Sequence, residues 1–205
     1  MRQLLAHPTN FTAGRQRPVD RIVVHYTAGD GDTAENNGRY FQGADRKASA
    51  HYFVDERETV RSVREEDTAW HAGSWEMNCR SVGVEMCSRK DGAGKYYIPQ
   101  ATVENTAKLV RELMQRYAVS PENVLRHYDV TGKNCPAPMV ENETLWRSFK
   151  TGLEGSDAPA PWAADACEWA KTEGFIRGDE NGIFRWQDAV TRQELAVILQ
   201  RLCRK

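Results

Sequence analysis

The chain has 205 residues, of which 40% are hydrophobic and 28% are charged, ordinary proportions for a globular protein with a packed core. Its 28 basic and 29 acidic residues leave a formal net charge of −1, so the charge gives no reason to expect nucleic acid as a partner. No apolar run approaches the roughly 20 residues that a membrane-spanning helix needs, and we expect no membrane partner. Residues 1–8 are too short and polar for a signal peptide, which predicts synthesis in the cytoplasm without an export signal.

The number of cysteines also limits the class of protein. Five is an odd number for a chain of this size and argues against a disulfide framework. We expect Cys79, Cys87, Cys167 and Cys203 to pack as small apolar residues. Cys135 differs from them because its surroundings are polar and rich in turn residues.

The first predicted elements are a strand and a helix. Residues 19–26 are short, β-branched and bounded by Pro18 and Gly29, which predicts a buried strand. Residues 32–41 predict a short helix with Asp32 as its N-cap.

Three further strands are predicted from the next part of the chain. Residues 50–54 and 59–63 are apolar stretches on either side of a polar turn, which predicts a hairpin. Residues 81–86 alternate between apolar and small or polar side chains, which predicts a strand with Glu85 on its less apolar face.

The second half of the chain adds helices. One face of an amphipathic helix is indicated by apolar residues at helical spacing, namely Val103, Ala107, Val110, Met114 and Tyr117. A short closing helix is predicted at 143–149. Strands and helices mixed in this order predict an α/β domain over residues 1–150. The composition of residues 151–160 predicts a linker, and residues 161–205 predict a small α-helical module.

Two helices are expected in this module. One helix face is marked by Trp162, Ala166, Trp169 and Ala170. A tight turn is predicted at 178–182, and a capping box at 191–194, which begins with Thr191, opens a second helix over 195–202.

The stretch 126–136 contains two strong metal donors. His127 and Cys135 lie eight positions apart, and Gly132 and Pro136 predict a turning loop rather than a helix or a strand. A neutral imidazole and a thiolate are preferred zinc ligands, and a loop can turn both toward one ion.

A third zinc ligand is needed, and His25 at the end of the first strand is the best candidate. Three protein ligands would leave one position for water, which is typical of catalytic rather than structural zinc. The residues alone also allow a different interpretation, in which His25 and His127 bind no metal and Cys135 is a buried thiol.

Residues 19–150 resemble the zinc-dependent N-acetylmuramoyl-L-alanine amidases of the phage-endolysin and peptidoglycan-recognition type. The resemblance is carried by five pieces in order: 24–28 (VHYTA), 49–52 (SAHY), 69–73 (AWHAG), 82–86 (VGVEM) and the loop from His127 through Lys133 to Cys135. It implies a mixed central β-sheet flanked by helices, with zinc in a groove at one side. It also implies hydrolysis of the amide between N-acetylmuramic acid and the L-alanine of the stem peptide.

The resemblance assigns roles to the site residues. His25, His127 and Cys135 would bind Zn2+, which would activate a water molecule and polarise the scissile carbonyl. Glu85 would act as the general base, and Lys133 would stabilise the developing oxyanion. Some phage members have a tyrosine where this chain has Ala50, so the proton transfers would fall to Glu85 alone.

Three further residues are expected to contact substrate. His71 and Trp70 lie in the motif that lines the groove in the family, and His51 lies on a predicted strand. The alternatives are a supporting or core position for the histidines and aromatic packing in the core for Trp70.

The tail resembles a single S-layer homology module, carried by Trp169-Ala170, residues 174–178, 179–184 and 190–194. Such modules attach proteins to secondary cell-wall polymers and usually occur in three copies. One copy is present here, so autonomous wall binding would require association into a homo-oligomer.

These features predict a phage or prophage endolysin that degrades bacterial peptidoglycan and reaches the wall through a holin lesion. Two alternatives are a cytoplasmic recycling amidase and a non-catalytic peptidoglycan-recognition protein. A wall-binding tail argues against the first, and the presence of Cys135 argues against the second.

Overall fold

The computed structural model describes residues 1–153, 159, 161–178, 184, 186, 190 and 192–203. The chain divides into two compact units, Met1–Leu153 and Glu154–Lys205. The last helix of the first unit ends at Leu153, so it continues past the domain boundary predicted at 150. The predicted linker therefore begins inside a helix, and its residues 154–158 and 160 lie outside the described part.

Short strands and helices are interspersed along the first unit, and two α-helices lie in the described part of the second. The strands are β1 (Arg2–Gln3), β2 (Phe11–Thr12), β3 (Arg21–Tyr26), β4 (Tyr52–Val54), β5 (Thr59–Arg61), β6 (Thr68–Ala69), β7 (Ser81–Met86), β8 (Arg89–Lys90), β9 (Tyr96–Tyr97) and β10 (Val124–Arg126). The α-helices are α1 (Ala34–Gln42), α2 (Trp75–Arg80), α3 (Gln100–Tyr117), α4 (His127–Thr131), α5 (Ala137–Val140), α6 (Glu143–Leu153), α7 (Ala164–Thr172) and α8 (Arg192–Cys203).

The central sheet has six strands in the order β1-β5-β4-β7-β3-β10. β4 and β5 form the predicted antiparallel hairpin, and the other neighbouring strands are parallel. β2 with β6 and β8 with β9 form two small antiparallel sheets. The mixed sheet with flanking helices confirms the predicted fold class.

β3 and β7 lie side by side in the middle of this sheet. Their register pairs Val24 with Val84 and His25 with Glu85. Because side chains alternate along a strand, this register separates an apolar face from a polar one. The apolar face packs against α3 and α6 in a core that includes Ile22, Val24, Val54, Val82, Val84, Met86, Val110, Leu113, Trp146 and Phe149.

The opposite face of the sheet is divided between packing and polar residues. Helix α1 contacts β4 and β5, where Ala34, Phe53 and Val60 form a smaller core cluster. The strands β3 and β7 present His25 and Glu85 on this same face. Helix α1 therefore covers the β4–β5 part of this face, and polar side chains occupy the ends of β3 and β7.

Two local predictions need correction. The N-cap of α1 is Thr33, not Asp32, because Thr33 and Asn36 exchange a reciprocal pair of side-chain to backbone bonds. The stretch 126–136 is not a loop throughout: Arg126 ends β10, and a short helix begins at His127. Gly132 ends that helix in the left-handed conformation, which suits a residue without a Cβ.

The second unit contains α7 and α8 among its described residues. α7 matches the helix expected around Trp169, and α8 is longer than the predicted 195–202. Most of the predicted turn at 178–182 and the capping-box residue Thr191 lie outside the described residues. No helix in the described part of the chain is long and apolar enough to cross a membrane.

The core predicts a clear contrast between two leucines. Leu113 on α3 is fully buried, whereas Leu145 on α6 is 47% exposed. We expect Leu113→Ala to lower the free energy of unfolding by about 2–5 kcal/mol, because it removes buried methyl groups and leaves a cavity. Leu145→Ala should change it by less than about 0.5 kcal/mol. Urea unfolding of both variants checks this, and equal losses would contradict the described packing.

Candidate metal centre

Three donor residues from separate elements meet at one edge of the sheet. His25 lies near the end of β3, His127 is the first residue of α4, and Cys135 lies just before α5. β3 and β10 are parallel neighbours, so the chain leaving β10 brings His127 to the same edge as His25. One ligand atom from each of the three residues lies within 4.8 Å of the other two, and all three residues are buried.

The distances within this triad suit a metal ion. His25 Nδ1 lies 3.1 Å from His127 Nδ1 and 3.7 Å from Cys135 Sγ. Three lone pairs that converge at such distances repel one another unless a proton or a cation lies between them. Two imidazole nitrogens and one sulfur form a donor set that zinc prefers, with one coordination position left over. The residues present therefore fit zinc.

The protonation of the histidines also favours metal binding. Burial lowers the pKa of His25 well below its ordinary value, and the neighbouring His71, His127 and Lys133 lower it further. Burial and then Lys133 lower the pKa of His127. Both imidazoles are therefore neutral at pH 7, which is the form that binds metal ions.

The thiol of Cys135 behaves differently. Burial raises its pKa to about 12, and the nearby Glu85 adds to this effect. Without a cation the residue is therefore a thiol at neutral pH. A metal ion reverses this preference because its charge stabilises the thiolate, so metal binding should release a proton.

The rings of His25 and His127 each have a hydrogen-bonding partner outside the triad. His127 makes a hydrogen bond with the backbone of Ala72. His25 Nε2 lies 3.0 Å from Nδ1 of His71. Each ring thus has a protein partner besides the triad, and for His25 this partner lies on Nε2, an arrangement that orients a histidine for a metal.

Glu85 lies beside His25 in the paired strands. Its Oε2 atom is buried and has no hydrogen-bond partner among the described residues. Burial raises the pKa of Glu85 to about 8, the charge of Lys133 opposes this rise, and Asp32 adds to it. A carboxyl group with a pKa near neutrality can both accept and donate a proton at physiological pH.

Lys133 is exposed, yet its charge reaches the triad. It lowers the pKa values of His25 and His127 and opposes the rise in that of Glu85. The structure thus brings together all five residues for which the sequence predicted a metal-binding or catalytic role.

The two histidines expected to contact substrate, His51 and His71, are both buried. His51 is fully buried; its Nδ1 accepts a hydrogen bond from the Gly83 N–H at 2.9 Å, and its Nε2 lies 2.6 Å from Arg15 Nη2. His71 is also buried, and both of its ring nitrogens have protein partners. The described contacts use the polar atoms of both rings, which favours the supporting or core position over direct contact with substrate.

Trp70 remains partly exposed. Its indole Nε1–H donates to Thr12 Oγ1 at 3.0 Å, and its backbone N–H donates to Ser49 Oγ at 3.0 Å. The polar edge of the indole is therefore bound within the protein, which leaves only its apolar surface for other contacts.

Residues that the sequence analysis did not single out support the site. Ser81 and Gly83 lie on the same face of β7 as Glu85, and both contact His71. The alternation of residues 81–86 places them on that face, but no sequence signal indicates which ring they would touch.

Comparisons with known proteins identify two families that match this chain. The family described as N-acetylmuramoyl-L-alanine amidase matches residues 15–138, and the S-layer homology domain matches residues 156–196. The N-acetylmuramoyl-L-alanine amidase CwlL of Bacillus licheniformis is 37% identical over 176 residues, which cover 77% of this chain and 48% of CwlL. The N-acetylmuramoyl-L-alanine amidase BlyA of Bacillus subtilis (strain 168) is 37% identical over residues that cover 66% of this chain and 41% of BlyA. The chain thus spans about half the length of the curated relatives it matches.

Solved structures show the same fold. The catalytic domain of XlyA matches with a TM-score of 0.65 and 28% identity, covering 74% of this chain and 97% of that domain. PlyL matches with a TM-score of 0.65 and 28% identity, covering 75% of this chain and 96% of the PlyL chain.

The buried carboxyl group predicts a pH-dependent effect in metal-free protein. Because folding raises the pKa of Glu85 from 4.5 to about 8, the folded state binds its proton more tightly than the unfolded state. The parent therefore loses stability relative to Glu85→Gln as the pH rises from about 4.5 to about 8, and the difference no longer changes with pH below this window.

Urea unfolding of chelator-treated protein between pH 4 and 9 measures this difference. Glu112→Gln, which changes an exposed glutamate of α3, is the control and should follow the parent at every pH. A constant difference between the parent and Glu85→Gln across the range would contradict the raised pKa.

Proposed function

The chain belongs to the N-acetylmuramoyl-L-alanine amidase family, and we propose that it is a zinc-dependent amidase acting on bacterial peptidoglycan. The bond cleaved would be the amide between N-acetylmuramic acid and the L-alanine of the stem peptide. The observation that carries this proposal is a buried oxygen of Glu85 that has no hydrogen-bond partner in the described part of the chain and lies beside a convergent triad of zinc donors.

His25, His127 and Cys135 would hold the zinc. When bound, zinc supplies Lewis-acid activation of water and of the scissile carbonyl. The remaining chemistry belongs to side chains of the protein. The residues of the triad are buried, which keeps bulk water from screening the charges that act on the reacting atoms.

Glu85 is proposed as the general base and then the general acid. Its carboxylate takes a proton from the attacking water and gives a proton to the leaving amine of L-alanine. Its raised pKa supports both steps, since the group binds a proton and releases it near neutral pH. Oε2 has no hydrogen-bond partner among the residues that the structure describes, so it can accept a hydrogen bond from a water molecule that enters the site.

Lys133 is proposed to stabilise the negative charge that develops on the carbonyl oxygen. Its exposed ammonium lies close enough to oppose the raised pKa of Glu85. A positive charge at the rim of a buried site acts on the oxyanion more strongly than it would in bulk water.

The tail is proposed to direct the enzyme to the wall. The match of residues 156–196 to the S-layer homology domain supports binding to a secondary cell-wall polymer. Leu195, Ile198 and Leu199 of α8 are exposed apolar residues at helical spacing, which supports association of copies into a homo-oligomer.

An endolysin role is proposed on structural similarity. The structure of a mutant endolysin from Bacillus subtilis matches with a TM-score of 0.64 and 29% identity, covering 74% of this chain and 97% of that chain. This role places the activity at the bacterial cell wall.

The test combines zinc content with digestion of purified peptidoglycan, followed by the appearance of new alanine N-termini. We expect the parent to bind one zinc and to cleave. Glu85→Gln should keep the zinc and lose about 10²–10⁴-fold in rate, because only the proton transfers are removed. Cys135→Ser should lose zinc affinity, because the thiolate ligand is gone.

Lys133→Met should keep the zinc and lose about 10²-fold in rate. The controls are Glu112→Gln and Lys108→Met, which remove exposed charges of the same type from α3 and should match the parent. A parent that binds zinc but cleaves nothing would instead indicate a non-catalytic recognition protein. Full activity of Glu85→Gln would refute the role given to that residue.

A further inference from the structure

A continuous line of hydrogen-bonding groups runs from the metal triad into the interior. His25 Nε2 lies 3.0 Å from His71 Nδ1, and His71 Nε2 lies 3.2 Å from Ser81 Oγ. The hydroxyl of Ser81 donates to the carbonyl oxygen of Met77 at 2.6 Å. Three side chains thus connect the donor edge of the sheet to the backbone of α2.

The far end fixes the direction of every bond in this line. A carbonyl oxygen can only accept, so the hydroxyl hydrogen of Ser81 points to Met77 and its lone pairs face His71. His71 must then donate from Nε2, which leaves its Nδ1 as an acceptor. A neutral imidazole carries one proton, so His25 must donate from Nε2 to this acceptor.

The near end independently requires the same direction. His25 Nδ1 faces His127 and Cys135, and a nitrogen that binds metal carries no proton. The single proton of His25 therefore belongs on Nε2, where His71 receives it. The backbone carbonyl at one end and the metal position at the other agree on one arrangement of protons.

The surroundings hold this line in place. His25 is 1% exposed, His71 9% and Ser81 0%, so bulk water cannot replace a missing partner. Gly83 makes room for the ring, since a Cβ there would lie 2.5 Å from His71 Cγ. Asn78 Oδ1 accepts the backbone N–H of His71 at 3.1 Å and fixes the chain that carries the ring.

We propose that His71, anchored by Ser81, is a positioning residue that holds His25 in the tautomer with Nδ1 free for the metal. His71 would act through His25 and touch neither substrate nor metal. This inference rests on the proposed zinc site and assigns the family's Trp-His-Ala-Gly stretch, residues 70–73 here, a supporting role in this chain.

The first test needs no substitution. In zinc-loaded parent protein, the ¹⁵N shifts of the imidazole nitrogens should show His25 and His71 both protonated on Nε2. A proton on Nδ1 of His71 would overturn the proposal, because that nitrogen could then accept nothing from His25.

The second test measures zinc affinity by competition with a chelator. Loss of an outer partner of a metal ligand typically weakens metal binding about 10–100-fold, and we expect this range for His71→Phe and a smaller loss for Ser81→Ala. His71→Asn should restore part of the affinity, because its Oδ1 can accept where Nδ1 did. A purely structural role for His71 would give no such rescue.

The matched control is Ser62→Ala. Ser62 is also buried, and its Oγ has no hydrogen-bond partner among the described residues. Its removal should leave zinc affinity unchanged. If the parent binds zinc and cleaves, but His71→Phe and Ser81→Ala bind zinc as tightly as the parent, this inference is overturned and the proposed function stands. A parent that binds no zinc would overturn both this inference and the proposed function.

Discussion

The parallel register of β3 with β7 is the constraint on which the site depends. It pairs His25 with Glu85, so a metal donor and a carboxylate stand side by side on one face of the sheet. The same register points Val24 and Val84 toward the core that packs against α3. A slip by one residue would move every side chain of a strand to the other face and bury the polar pair in the apolar core. Packing of the apolar face therefore also fixes which side chains lie on the face that carries the site.

The second feature is the concentration of buried polar groups at that edge. His25, His127 and Cys135 are all buried, and one oxygen of Glu85 has no partner among the described residues. Buried polar groups without full partners cost free energy, so the metal-free site opposes folding. A cation held by the triad would turn the converging lone pairs from repulsive to attractive and favour the thiolate of Cys135. Metal binding and stability should therefore be coupled, as ligands that bind only the folded state stabilise it.

The sequence predicts the parts of this site that depend on local pattern and donor type. Alternation over 81–86 places Glu85 on the polar face, and donor chemistry selects His25, His127 and Cys135. The sequence could not decide between a buried and an exposed position for His51 and His71. Their burial depends on contacts with residues far away in the sequence, such as Gly83. The helical turn at His127 escapes prediction for a related reason: Gly132 indicates a turn but not how many residues before it are helical.

The most direct test of the central claim is zinc K-edge X-ray absorption of the zinc-loaded protein. We predict one sulfur neighbour, from Cys135, and two imidazoles, from His25 and His127, with a light atom in the remaining position. Cys135→Ser should remove the sulfur signal. A spectrum without sulfur, with two or more sulfurs, or with a fully hydrated ion would contradict a catalytic metal centre built on this edge of the sheet.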